Sequence, residues 1–134
     1  MRGIGGISMT HLLDVNVLLA GIWEEHPLHT RAFKWLNGKS IALCPLAELG
    51  FIRISTQPKA SFNAPMEKTR KLLKKFIAER KASRIPDDLP ALDSKPQKSD
   101  EVTDNYLADL AARHGLKLAT LDRNIGHPAA VLVT

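Results

Sequence analysis

The feature that most limits the fold of this chain is an alternation of short apolar runs with longer stretches of helical periodicity. The runs are His11-Leu12-Leu13, Ile41-Ala42-Leu43-Cys44, Leu118-Ala119-Thr120-Leu121 and Ala130-Val131-Leu132-Val133, with Arg84 to Pro86 as a shorter fifth candidate. Each has the length of a strand, and their near-continuous apolarity suits strands covered on both faces. Between them the helical signals are clear. Pro27 suits a first helical position, and Leu28, Ala32, Trp35 and Leu36 form an i, i+4, i+7, i+8 stripe that Asn37-Gly38 closes. Pro45 opens a helix carrying Glu48, Phe51, Ile52 and Arg53. Residues 57–64 form a loop, and Pro65 opens a helix from Met66 to about Ala82, with Met66, Leu73, Phe76 and Ile77 on one side. Pro86, Pro90 and Pro96, with Asp87, Asp88 and Asp93, mark a further loop with turn and cap roles for the acids. Strands alternating with helices in this way predict an α/β fold around a central, mainly parallel sheet.

At 134 residues, a single domain with a substantial core is expected. Residues 1–8, MRGIGGIS, are Gly-rich and unpatterned before a second methionine, Met9, and read as an extension outside a domain spanning 9–134. No signal peptide is expected, because glycines rather than an apolar stretch follow Arg2, and no run approaches the roughly 20 apolar residues of a membrane span. The lone Cys44 cannot form an internal disulfide and fits a reducing, cytoplasmic setting; its apolar surroundings make it a packing residue. A net charge of +5 is compatible with a polyanionic partner, though a modest basic excess also serves solubility.

The acids carry the chemistry. In Val102–Asp122 a helix, a Gly turn and a strand follow in order, with Thr103 as the expected N-cap. Asp104 shares a helix face with Leu107, Ala108 and Ala111, where a carboxylate is costly to bury without compensation. Asp122 closes one strand and Asp14 another; Glu48 lies one turn into the helix after the second strand. Open α/β sheets build their sites beyond the carboxyl ends of the strands, so all four acids are expected at one edge. Taken singly, each has a plainer role: Asp14 as an N-cap, Glu48 as a surface residue paired with Arg53, Asp104 as a complement to the helix dipole, Asp122 as a turn residue. Taken together, four carboxylates repel one another unless a cation offsets them, and Mg²⁺ or Mn²⁺ takes such oxygen donors. A metal-activated water attacking a phosphodiester is the chemistry this set suggests.

The ordered stretches LLDVNVLLA, HPLHTRAFKWL, CPLAELGFIRI and VTDNYLADLAARHGLKLATLDRNI resemble a PIN domain, and most closely the VapC-type toxin ribonucleases of bacterial toxin–antitoxin pairs. The likeness runs from about Met9 to the C-terminus. On this resemblance Asp14, Glu48, Asp104 and Asp122 match the family's catalytic and metal-holding acids, and Asn16 and Thr120 match supporting polar positions. It implies a three-layer α/β/α sandwich, Mg²⁺- or Mn²⁺-dependent endoribonuclease activity, a homodimer, and a cognate antitoxin whose C-terminal segment lies in the active groove.

Other features are weaker. The helix bearing Lys68, Arg70, Lys71, Lys74 and Lys75 is either an RNA-phosphate surface or simply a solvated face. His26 and His29 lack further ligands at metal spacing and read as capping and packing residues. A receiver domain would need an acidic pair after the first strand and a lysine after the last; a haloacid-dehalogenase-like phosphatase would need an aspartate where Asn16 stands. The remaining alternative to an enzyme is a non-catalytic RNA- or protein-binding module on the same fold.

Overall fold

A computed structural model describes residues 9–59 and 62–134. The proposed extension at residues 1–8 lies outside the described residues. The strands are β1 (Thr10–Leu13), β2 (Ser40–Leu43), β3 (Ser83–Arg84), β4 (Lys117–Thr120) and β5 (Ala130–Leu132). They form one five-stranded sheet in the order β3-β2-β1-β4-β5, with every pairing parallel. The helices are α1 (Val15–Ile22), α2 (His29–Leu36), α3 (Pro45–Thr56), α4 (Met66–Arg80) and α5 (Val102–Arg113).

The chain moves outward from β1 to β2 and β3, then returns across the sheet to β4 and continues to β5. Right-handed crossovers in opposite directions place their helices on opposite faces. Accordingly α1 packs against α2, α3 and α4, whereas α5 packs against β1 and β4. This gives the expected three layers. The central strands are buried through Leu12, Leu13, Ile41, Ala42, Leu43, Leu118 and Ala119, as their unbroken apolarity requires. The reversal of direction falls between β1 and β4, whose carboxyl ends carry Asp14 and Asp122. Such a switch point leaves a crevice between diverging connections.

Several local expectations are corrected. Pro27 does not start α2; His26 Nδ1 accepts from the Leu28 N–H at 3.0 Å, forming a turn that delays the helix to His29. The helix expected to run to about Ala82 ends at Arg80, because Lys81 turns into the left-handed region (φ 52°) and donates its N–H to the last turn. Thr103 is not an N-cap. A 3₁₀ turn at Ser99–Glu101 leads directly into α5, putting Glu101 at the cap and Thr103 inside the first turn. Asp87 does act as a cap, accepting from the Leu46 N–H of α3 at 3.0 Å.

Gly50 has a packing reason to be glycine. A Cβ there would come within 2.7 Å of Val15 Cγ2, so α1 and α3 cross more closely than a side chain permits. That approach holds the helix bearing Glu48 against the helix that begins after Asp14.

Candidate active site

The site begins with Asp14, where β1 becomes α1. Its N–H still bonds to the Ala119 carbonyl of β4 at 3.0 Å, and its carbonyl accepts the first helical bonds from Val17 and Leu18. The side chain is therefore fixed by sheet and helix together. Only 3% of the residue is exposed. One carboxylate oxygen accepts from the Val15 N–H at 2.7 Å, which is the N-cap role. The other accepts from the Thr120 hydroxyl at 2.8 Å.

Thr120, itself buried, is the hub beneath the acids. Its single proton goes to Asp14, while its oxygen accepts from Asn16 Nδ2 at 3.3 Å and from the Asp122 N–H at 3.1 Å. Asn16 Oδ1 in turn accepts from the Leu121 N–H at 3.1 Å. One hydroxyl thus ties the exits of β1 and β4 into a single unit. Thr120→Val, similar in shape but lacking the hydroxyl, leaves these buried groups short of a partner. It is expected to cost about 1–3 kcal/mol, read as a lowered urea midpoint with unchanged slope.

Asp122 and Asp104 complete an acidic trio with Asp14. Asp122 is half-buried, and its carboxylate accepts from the Asn124 N–H at 2.8 Å, so the turn role and the site role coexist. Asp104 stands on the face of α5 that buries Leu107, Ala108 and Ala111, as the spacing requires. The electrostatics show that the three sense one another. Asp14 is pushed up to about 6, first by burial, then by Asp104, with Asp122 adding to the rise against the hydrogen bonds from Thr120 and Val15. Asp104 is raised by burial, then by Asp122 and Asp100. Asp104 and Asp122 share a cavity of about 560 Å³ with Asp100, Lys95, Lys98 and His127. His127 is committed elsewhere: one ring nitrogen meets Asp109 at 2.7 Å and the other accepts from the Ala129 N–H at 3.0 Å.

Glu48 departs from the expected quartet. Its carboxylate is gripped by Arg84 of β3, with Arg84 Nε donating to Oε2 at 3.1 Å and a terminal guanidinium nitrogen donating to Oε1. The anticipated partner Arg53 is replaced because β3 lies beside β2, with Arg84 in register with Leu43, next to the start of α3. Three of the four acids, Asp14, Asp104 and Asp122, are thus linked electrostatically, and the fourth is held in an ion pair.

Hard carboxylate oxygens carrying uncompensated mutual repulsion fit a divalent cation. Among the described residues no three His, Cys, Asp or Glu side chains converge into a ready-made coordination shell. The donor set matches Mg²⁺ or Mn²⁺ on chemistry, and Mg²⁺ in particular binds through one or two carboxylates while retaining its waters.

Beside Glu48 and Arg84 lies a groove of about 1010 Å³ between α3 and α4. Arg70, Lys71 and Lys74 line it, above the apolar Ile52, Leu73 and Ile77. Two of the five basic residues singled out from sequence are not in its lining: Lys68 stands 6.0 Å from the Trp23 ring centre, and Lys75 lies elsewhere on α4. The residue the sequence reading missed is Arg84. Its only sequence signal was a cation on a candidate strand next to the strand that leads into the Glu48 helix.

Comparison with known proteins gives consistent matches. A PIN domain family model matches residues 11–131. Ribonuclease VapC38 of Mycobacterium tuberculosis is 36% identical over 126 residues, covering 85% of this chain and 86% of its own length. Ribonuclease VapC44 of the same organism is 32% identical over 126 residues, covering 87% and 89%. Among solved structures, VapBC2 from Rickettsia felis bound to a DNA fragment from their promoter superposes with a TM-score of 0.60 at 14% identity, over 92% of this chain and 97% of the other. A toxin–antitoxin complex from Klebsiella pneumoniae gives a TM-score of 0.60 at 16% identity, over 90% and 95%. These two structures speak for the fold alone.

Proposed function

This chain belongs to the PIN domain family, and from that premise we propose that it is a VapC-type endoribonuclease, the toxin of a toxin–antitoxin pair. The single observation that carries the reading is the acidic trio: at the sheet's switch point Asp14 is buried and pushed up to about 6, with Asp104 and Asp122 both adding to the rise. A fold gains nothing in stability from that arrangement, so a ligand that offsets the charge gives it a purpose.

In this reading Asp14, Asp104, Asp122 and Glu48 hold Mg²⁺ or Mn²⁺. When bound, the ion lowers the pKa of a coordinated water and offsets charge on the phosphate oxygens. The chain's own residues do the rest. Thr120 and Asn16 fix the Asp14 carboxylate and the Asp122 backbone, so the donors are oriented before substrate arrives. Arg70, Lys71 and Lys74 offer the RNA backbone a cationic track leading to Glu48.

The expected result is cleavage of structured RNA with Mg²⁺ or Mn²⁺, loss with EDTA, and return when the ion is restored. Cleavage that survives EDTA would remove the metal mechanism. RNA binding without cleavage, across several RNAs and both ions, would instead favour a binding module on the same fold. The groove is tested separately. Replacing Arg70 and Lys74 together by alanine should weaken binding similarly for unrelated RNAs and reduce the slope of log affinity against log salt by about 1–2.

The same reading gives the protein an antitoxin partner, in keeping with the toxin–antitoxin complexes among its structural neighbours, and a cytoplasmic setting where RNA is met. A homodimer is part of it as well. Exposed Leu49 and Met66 provide apolar surface for protein contacts near the groove.

A further inference from the structure

Arg84 is an unusual neighbour for a residue expected to hold a cation. It grips both oxygens of Glu48, and the carboxylate in turn raises the pKa of the guanidinium. The two partners are placed differently: the Glu48 side chain is 13% exposed, whereas that of Arg84 is 61% exposed. Glu48 is fixed on the first turn of a well-packed helix, while Arg84 belongs to a two-residue edge strand. The carboxylate is thus the fixed member and the guanidinium the movable one. The pair is bidentate and so not weak, but its guanidinium side is open to solvent, where an incoming anion can reach it and exchange for the carboxylate.

Arg84 also lines the α3–α4 groove with Arg70, Lys71 and Lys74, so it stands between the anion it already holds and any anion that enters. A guanidinium fork matches phosphate as well as it matches carboxylate. A phosphodiester seated among these cations competes with Glu48 for the same donors.

We propose that Arg84 is an exchangeable counter-cation for Glu48, drawn onto the phosphate backbone when a nucleic acid enters the α3–α4 groove, which releases Glu48 to the divalent ion. Arg84 is a positioning residue in this scheme, acting through Glu48. Substrate binding and completion of the acidic site become one event, so metal and nucleic acid strengthen each other's binding through this arginine. The scheme rests on the metal-dependent reading of the preceding subsection.

The test is Mn²⁺ binding, followed by electron paramagnetic resonance of the free ion, with and without a short mixed-sequence oligodeoxynucleotide. Wild type, Arg84→Gln, Glu48→Gln and the double variant are compared, with thermal melting as a check on folding. Arg84→Gln should bind Mn²⁺ roughly two- to fivefold more tightly than wild type without oligonucleotide. The tightening that oligonucleotide produces in wild type should be smaller in that variant. The double variant should bind no more tightly than Glu48→Gln alone, since the arginine acts only through that carboxylate. Unchanged Mn²⁺ affinity and unchanged coupling in an Arg84→Gln protein that still binds Mn²⁺ would overturn the role of Arg84 and leave the metal reading standing. Absence of Mn²⁺ binding in wild type and every variant would overturn the metal reading itself, and this proposal with it.

Discussion

Asp14→Asn is expected to reduce metal-dependent RNA cleavage by roughly a thousandfold or more, about 4 kcal/mol of transition-state stabilisation. The substitution keeps the shape of the side chain and leaves an oxygen for the Thr120 hydroxyl, so the hub beneath the acids persists in part. What it removes is the charge that the other two acids and an ion would share. One bond is at risk, because the amide nitrogen cannot accept from the Val15 N–H. Against that loss, burial of an ionised group disappears. The folded variant should therefore melt near or above the metal-free wild type at pH 7 while losing activity. Activity within tenfold of wild type in a metal-dependent assay would remove Asp14 from the chemistry. Inactivity combined with a collapsed melting transition would assign Asp14 to the fold, and the cleavage comparison would then pass to Asp122→Asn.

The second large effect is on stability against pH in the metal-free protein. Asp14 ionises near 3.8 in an unfolded chain and near 6 in the folded one. Between these values the native state keeps a proton that the unfolded state has released, so stability falls as pH rises and levels off above 6. The difference of about two units corresponds to about 3 kcal/mol. Asp104, also raised, acts in the same direction. Urea unfolding in EDTA should show wild type losing stability between pH 4 and pH 7 relative to Asp14→Asn, whose curve lacks this component. Mg²⁺ or Mn²⁺ should restore much of the loss at pH 7, because an ion that binds only the native state stabilises it by mass action. A wild-type curve parallel to that of the variant would mean that Asp14 carries no raised pKa.

These expectations rest on parts of the chain that differ in how far they can be read from sequence. The three central strands were legible within a residue or so, because burial on both faces leaves a continuous apolar signal, and β5 was legible from its short apolar run. Asp104 was legible because an acid on a stripe with Leu107, Ala108 and Ala111 contradicts the periodicity around it. Asp14 and Asp122 were legible from their place at strand ends. The partner of Glu48 was not. It depends on which strand flanks β2 and in what register, and a two-residue edge strand has almost no pattern of its own. The start of α5 was misread for a related reason: Thr103 has capping chemistry, but the 3₁₀ turn formed by residues 99–101 satisfies the approach first. The hub role of Thr120 needs the contact between Asp14 and a residue 106 positions away, so spacing alone could not reveal it.

The position of β4 has a consequence for how such a chain is made. β4, which leads into Asp122, is synthesised after β1, β2 and β3, yet it inserts beside β1 near the middle of the sheet. Until residues 117–120 arrive, β1 has one neighbour, the Asp14 carboxylate lacks the Thr120 hydroxyl, and two of the three clustered acids are absent or unplaced. A growing chain can pack its first four helices on β1 to β3 without assembling the trio. For a nuclease made among the RNAs it is proposed to cut, competence thereby waits on β4, and chains cut short before that strand lack both Asp122 and the Thr120 hydroxyl beneath Asp14.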